Sequence, residues 1–165
     1  MSHIVIRHAT AADAAALTHL YSQPETQANT LQLPYPSPAV WEEKLNTQRP
    51  GVQRLVAEYQ GQIAGQLTLE VMSVARRRHA ATFGMGVDPA FHRRGVGSAL
   101  MAAMIDQCDN WLQVSRIELT VFVDNPAAIG LYQKYGFVIE GTATRFAMRN
   151  GEMIDTHYMA RMRPF

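Results

Sequence analysis

The sequence predicts an α+β fold, a mixed α/β arrangement in which helices cover a central mixed sheet, on three observations. The second half alternates strand, helix, strand, helix and strand patterns, which argues for crossover connections and parallel strands there. Turn signals rich in Gly and Asn between alternating runs elsewhere argue for antiparallel hairpins. With 165 residues, 47% of them hydrophobic and 18% charged, the chain suits a single domain, 1–165, with a core that needs no disulfide staples.

The elements follow in order. Ile4 and Ile6 alternate with Val5 and Arg7 in a short strand. Thr10 and Asp13 imitate a capping box, with Asp in place of the usual Glu, so a helix follows; Leu17, Leu20 and Tyr21 form its apolar stripe and Pro24 stops it. Pro34 and Pro36 favour an extended loop over 28–37. Ser37 as N-cap and Pro38 as first residue start a second helix with Trp41 and Leu45 on one face, and Arg49-Pro50-Gly51 ends that region. Runs at 55–59 and 63–72 read as strands around Gln60-Gly61-Gln62. Arg76-Arg77-Arg78-His79 reads as a solvated loop or as an attractor of anions.

The next strand spans 82–87, where Gly84 and Gly86 signal a bulge or the close approach of another backbone or a ligand. Asp88-Pro89 breaks it. After a glycine turn comes a long helix carrying Leu100, Met101, Met104, Ile105, Cys108 and Leu112, apolar on more than one face and therefore buried on both sides. A strand over 117–123 leads to Asp124-Asn125-Pro126, which caps a helix ending at Gly136, a residue suited to the left-handed C-terminal position. A strand over 137–140 follows. Asn150-Gly151 then joins runs at 145–148 and 154–159 in a hairpin.

Lys plus Arg total 15 and Asp plus Glu total 14, a formal charge of +1, without the basic surplus of a nucleic-acid binder that works by counterion release. No apolar run reaches the roughly 18–20 residues of a membrane span. The N-terminal stretch MSHIVIRHAT lacks the long apolar segment of a secretion signal, and the lone Cys108 has no internal disulfide partner. The reading is a cytoplasmic protein with no nucleic-acid or membrane partner. The six histidines show no metal-binding spacing, so no metal is expected.

The turn His92-Arg93-Arg94-Gly95-Val96-Gly97-Ser98 lies between a strand end and a helix start, where free N–H groups and the helix dipole favour an anion. Arg93 and Arg94 add charge, as a pyrophosphate needs. The Walker loop fails, because no lysine follows Gly97. The dinucleotide fingerprint fits poorly, because Leu100 stands where a third glycine belongs and 88–94 intervene after the strand.

The run from Gly86 through Arg94-Gly95-Val96-Gly97-Ser98-Ala99-Leu100 resembles the acetyl-CoA-binding motif of the GNAT acetyltransferase superfamily, Gln/Arg-x-x-Gly-x-Gly/Ala. Asn125-Pro126-Ala127-Ala128 with Leu131-Tyr132 and Lys134-x-Gly136-Phe137 resembles its second cofactor motif. The resemblance implies a mostly antiparallel mixed sheet with a parallel crossover at the cofactor site, acetyl-CoA as co-substrate, and a homodimer. It implies that Met85, Gly86 and Val87 hold the pantetheine arm and that Arg93, Arg94, Gly95, Val96, Gly97 and Ser98 bind the pyrophosphate. Asn125 would bond the arm or simply cap its helix. His92 stands at the Gln/Arg position, so pyrophosphate affinity would rise at lower pH.

Acetyl transfer by direct attack needs a neutral amine and a proton for the departing thiolate. The resemblance makes Tyr132 the general acid, with Tyr135 three residues on as a stand-in. Relatives often carry a Glu where Thr82 stands, which leaves Glu70 as the general base acting through water and His79 as a second possibility. Asn29-Thr30-Leu31-Gln32, the run 108–112, the run 117–125 and Arg149-Asn150-Gly151-Glu152 resemble enterobacterial L-amino-acid N-acetyltransferases. That implies a small apolar amino acid as acceptor, with Leu31, His79 and Phe83 among the residues around it and Met85, Phe146 and Tyr158 as further apolar walls. Arg78 or His79 would meet the carboxylate. A polyamine such as spermidine, a protein N-terminus, and a non-catalytic CoA-binding regulatory domain are the alternatives.

Overall fold

The computed structural model describes residues 3–164. Met1 and Ser2, which open the stretch read for a secretion signal, and Phe165 lie outside the described residues. The strands are β1 (Ile4–His8), β2 (Val52–Tyr59), β3 (Gln62–Val71), β4 (Ala80–Val87), β5 (Arg116–Phe122), β6 (Val138–Arg149) and β7 (Glu152–Met162), in the sheet order β1-β2-β3-β4-β5-β7-β6. The β1–β2, β2–β3, β5–β7 and β6–β7 pairs are antiparallel and β4–β5 is parallel, so the sheet is mixed and mostly antiparallel, as expected. The helices are α1 (Ala14–Ser22), α2 (Pro24–Ala28), α3 (Pro38–Asn46), α4 (Val96–Asn110) and α5 (Pro126–Lys134). No described helix is long and apolar enough to cross a membrane.

Three sequence expectations are corrected. Pro24 ends α1 but also opens α2 as its first residue, because the missing N–H of proline costs nothing at that position. The separate runs at 137–140 and 145–148 are one strand, β6, whose register shifts at Ile139/Gly141 and Ala143/Ala147 absorb the irregular residues between them. The crossover through α5 does not place β6 beside β5. The tight turn at Asn150-Gly151, both with positive φ, folds β7 back between them, and β7 is the strand that buries Ile154, Thr156, Met159 and Ala160.

The chain divides into two compact units. One comprises the residues through Glu70 together with Gly84–Ile105, and the other comprises Val71–Phe83 together with Asp106 onward. In the first, Leu17, Leu20 and Tyr21 of α1, Trp41 of α3 and Val56 of β2 form the core, with Tyr21 stacked on Trp41 at 5.2 Å between centroids. Arg7 bonds Asp13 and Glu58 at 2.8 Å each, and Asp13 accepts the Thr10 N–H at 2.7 Å, the half of the capping box that holds the entry to α1. The Arg7 guanidinium holds the Asp13 carboxyl below the usual carboxylate range. Neighbouring residues of β3 show that both faces are covered. A Cβ on Gly65 would meet Val96 and Leu100 of α4, whereas Gln66 receives the hydroxyl of Tyr21 from α1.

In the second unit, Phe83, Tyr132 and Phe137 form an aromatic trio with centroid separations of 5.8 and 6.0 Å. Arg161 forks onto Asp109 at 2.8 and 3.0 Å, and Arg116 bonds Glu118 and Glu140. Cys108 is buried, and burial pushes its thiol up to about 12, so it is packing rather than chemistry.

Candidate active site

In the first unit, β4 delivers Met85, Gly86 and Val87 to a glycine turn. Asp88 N–H bonds the Ala64 carbonyl at 2.8 Å, and the Asp88 carboxylate accepts the Ala90 N–H at 2.9 Å, which starts a short 3-10 turn at Pro89–Phe91. Arg93 and Gly95 both adopt positive φ, +62° and +83°. That pair of left-handed residues reverses the chain so that α4 begins at Val96, and its first intrahelical bond runs from Ala99 N–H to the Gly95 carbonyl at 3.0 Å. The N–H groups of the first turn, which includes Gly97, precede any intrahelical acceptor, and the helix dipole sums there.

Both arginines of the turn are exposed. Arg94 donates to the Tyr59 hydroxyl at 3.2 Å and lies over its ring at 5.6 Å, while Tyr59 meets Phe91 edge-on. His92 is also exposed, 3.7 Å from the Glu25 carboxylate. This donor set of helix N–H groups, a backbone turned left-handed and two guanidinium groups fits a pyrophosphate, which needs several donors.

The two glycines of β4 differ. A Cβ on Gly86 would lie 2.9 Å from the Tyr21 ring, so the close approach signalled in the sequence is that of the chain's own phenol. A Cβ on Gly84 would meet nothing within 4 Å. Tyr21 donates to Gln66 Oε1 at 2.5 Å, and Gln66 Nε2 donates to Thr68 Oγ1 at 2.6 Å, a buried chain that sequence reading missed. Its signal was present, since Gln66 interrupts the apolar run of Ile63, Ala64, Leu67 and Leu69, and a buried amide needs partners. Glu70, four residues after Gln66, is half-buried and accepts a bond from Arg49 at 3.3 Å. Leu31 lies in the exposed loop after α2.

In the second unit, Tyr132 of α5 is 8% exposed and set edge-on against Phe83. Burial pushes its phenol up to about 12. Its hydroxyl has no hydrogen-bond partner among the described residues. Asn125 caps α5, its carbonyl oxygen accepting the Ala128 N–H at 3.2 Å. Tyr135 is half-buried at the end of α5. The basic run lies on the surface. Arg77 bonds Glu118 at 2.8 Å, Arg78 reaches the Ser73 carbonyl at 3.4 Å, and the exposed His79 uses its carbonyl to accept Ser115 and Arg116 N–H groups. Phe146 and Tyr158 meet edge-on at 6.2 Å on the β6–β7 hairpin.

The left-handed glycine turn feeds α4, which carries the chain over from β4 to its parallel neighbour β5. The chain belongs to the acetyltransferase (GNAT) family, whose model matches residues 14–137, and it is an N-acetyltransferase. It is 54% identical over 163 residues, covering 99% of this chain and 100% of the relative, to the L-amino acid N-acetyltransferase AaaT of Escherichia coli K12. Among solved structures it is similar to spermidine N-acetyltransferase from Vibrio cholerae in complex with CoA and spermine, with a TM-score of 0.86, 25% identity and coverage of 96% and 95% of the two chains. A GNAT-family acetyltransferase from Streptococcus pneumoniae matches with a TM-score of 0.84 and 29% identity, covering 98% of this chain and all of the other.

Proposed function

We propose that the protein transfers the acetyl group of acetyl-CoA to the α-amine of a small apolar L-amino acid in the cytoplasm. The observation that carries this reading is the 54% identity to an L-amino acid N-acetyltransferase along essentially the whole chain. Acetyl-CoA, when bound, supplies the acetyl group as a thioester. Arg93 and Arg94 with the N–H groups of Gly95, Val96, Gly97 and Ser98 would hold its pyrophosphate, and Met85, Gly86 and Val87 would line the pantetheine arm. Asn125, already committed to capping α5, would act on the arm through its remaining amide hydrogens.

Tyr132 fits the general acid. Its phenol stays protonated well beyond neutral pH and its hydroxyl has no hydrogen-bond partner among the described residues, so it can give its proton to the leaving thiolate. Glu70 is the carboxylate proposed to take the amine proton through water, with His79 as the other candidate. Leu31, His79 and Phe83 are proposed near the acceptor. The chain would work as a homodimer, without a metal.

The experiment is acetyl-CoA turnover, read as free thiol, against methionine, phenylalanine, spermidine and short peptides. Higher kcat/KM for the two amino acids is expected. Spermidine as the clearly better substrate would overturn the proposal in favour of the polyamine reading.

A further inference from the structure

Within the first unit, the α1 face of the sheet carries a row of side chains that the cofactor motifs do not use. Arg54 of β2 is paired in register with Thr68 of β3, and Val56 with Gln66. The bonds from Asp88 N–H to Ala64 and from Met72 N–H to Ala80 bracket the antiparallel β3–β4 pair. Counting inward from either end sets Thr68 beside Gly84 and Gln66 beside Gly86. One row across three strands is therefore Arg54, Thr68 and Gly84. The next row is Val56, Gln66 and Gly86, covered by Tyr21. Over Gly84 the sheet is bare, since nothing lies within 4 Å of where a Cβ would stand.

The direction of the hydrogen bonds along this shelf is set by chemistry. Tyr21 gives its proton to the Gln66 carbonyl oxygen, so the Gln66 amide must donate, and Thr68 Oγ1 accepts from it. The proton of the Thr68 hydroxyl is thereby left for a further acceptor. Beside it stands Arg54, half-buried, whose guanidinium has no hydrogen-bond or ion-pair partner among the described residues. The nearby carboxylate, Glu70, bonds Arg49 instead. Burial holds Arg54 below the ordinary arginine range, Arg49 adds to that and Glu70 opposes it, which marks a cation short of counter-charge. A half-buried fork of N–H donors next to a hydroxyl donor, at the edge of an open glycine floor, is a receptor for a carboxylate.

We propose that Arg54 and Thr68 bind the α-carboxylate of the acceptor amino acid, with the floor at Gly84 leaving room for the rest of the molecule. This rests on the amino-acid reading above and replaces Arg78 and His79 as the carboxylate partners, both of which lie on the exposed loop. Arg54 is a specificity-determining residue, and the tyrosine–glutamine chain behind Thr68 orients its hydroxyl.

The test measures kcat/KM for L-methionine and for L-methioninamide with acetyl-CoA, in wild type, Arg54→Gln, Arg54→Lys and Thr68→Val, with thermal melts of each. Wild type should prefer the free acid. Arg54→Gln should lower kcat/KM for the acid roughly 10- to 100-fold, the range for a lost bond to a charged group, and bring the acid-to-amide ratio towards one. Thr68→Val should narrow that ratio roughly 3- to 10-fold. Arg54→Lys, which keeps the charge and loses the fork, should fall between wild type and Arg54→Gln. If Arg54→Gln folds poorly, the other two variants carry the test. A folded Arg54→Gln that keeps the wild-type acid-to-amide ratio overturns the assignment of Arg54 while leaving the amino-acid reading intact. Wild type that turns over no amino acid removes both.

Discussion

Tyr21 and Tyr132 are both buried and both have their phenols pushed up by burial, yet they are built for different work. Tyr21 donates at 2.5 Å to Gln66 and closes over Gly86, so its proton is committed within the fold. Tyr132 packs edge-on against Phe83 and tilted against Phe137, and its hydroxyl has no protein partner among the described residues. Burial by itself therefore does not mark a catalytic tyrosine. What distinguishes the two is whether the hydroxyl is already spoken for, because an acid must release its proton without breaking a structural bond.

Substituting phenylalanine at each position separates them. The largest effect expected is on rate. Tyr132→Phe should lower kcat by roughly 10²- to 10⁴-fold, with acetyl-CoA affinity and melting temperature nearly unchanged, because the ring contacts survive. Steady-state kinetics alongside calorimetry checks this, and an unaltered kcat with chemistry rate-limiting would remove Tyr132 as the acid.

Tyr21→Phe should act on stability. It leaves the Gln66 carbonyl oxygen buried without its donor, at a cost of about 1–3 kcal/mol in denaturant unfolding. Gly86→Ala attacks the same point from the other side, forcing a Cβ to within 2.9 Å of the Tyr21 ring. Its expected cost is also about 1–3 kcal/mol, as for an overpacked core.

The pH dependence follows from the raised phenol of Tyr132. An unfolded tyrosine ionises near 10, whereas the folded one holds its proton to about 12. The stability this contributes is fully present below pH 10 and is lost as pH rises from there through about 12. Tyr132→Phe should therefore lose stability less steeply than wild type over that window, in melts taken from pH 9 upward. The smallest effect is expected at Gly84→Ala, where the space is open. Its unfolding free energy should stay within about 1 kcal/mol of wild type, in contrast to Gly86→Ala.

Much of this molecule was legible in the chain because the signals are local. Pro38 opening α3, Gln60-Gly61 and Asn150-Gly151 with positive φ in their hairpins, and Gly136 at φ +91° after α5 all stand where turn and cap chemistry put them. The glycine turn before α4 was readable for the same reason, since Arg93, Gly95 and the helix start are consecutive. Pro24 misled because one residue served two adjoining elements, and 137–149 misled because bulges break alternation within one strand. The basic run Arg76-Arg77-Arg78-His79, read as a solvated loop or as an attractor of anions, is exposed, with Arg77 paired with Glu118.

The sequence by itself determined most of the elements and the glycine turn before α4, because backbone conformation and periodicity are set by neighbouring residues. Only the tertiary structure decided that β7 lies between β5 and β6, that Gly86 makes room for Tyr21, and that Arg54 is paired in register with Thr68. Those facts depend on which strands pair and in what register, and on residues as far apart as 21 and 66, whose hydrogen bond exists only once the sheet and its covering helix have met.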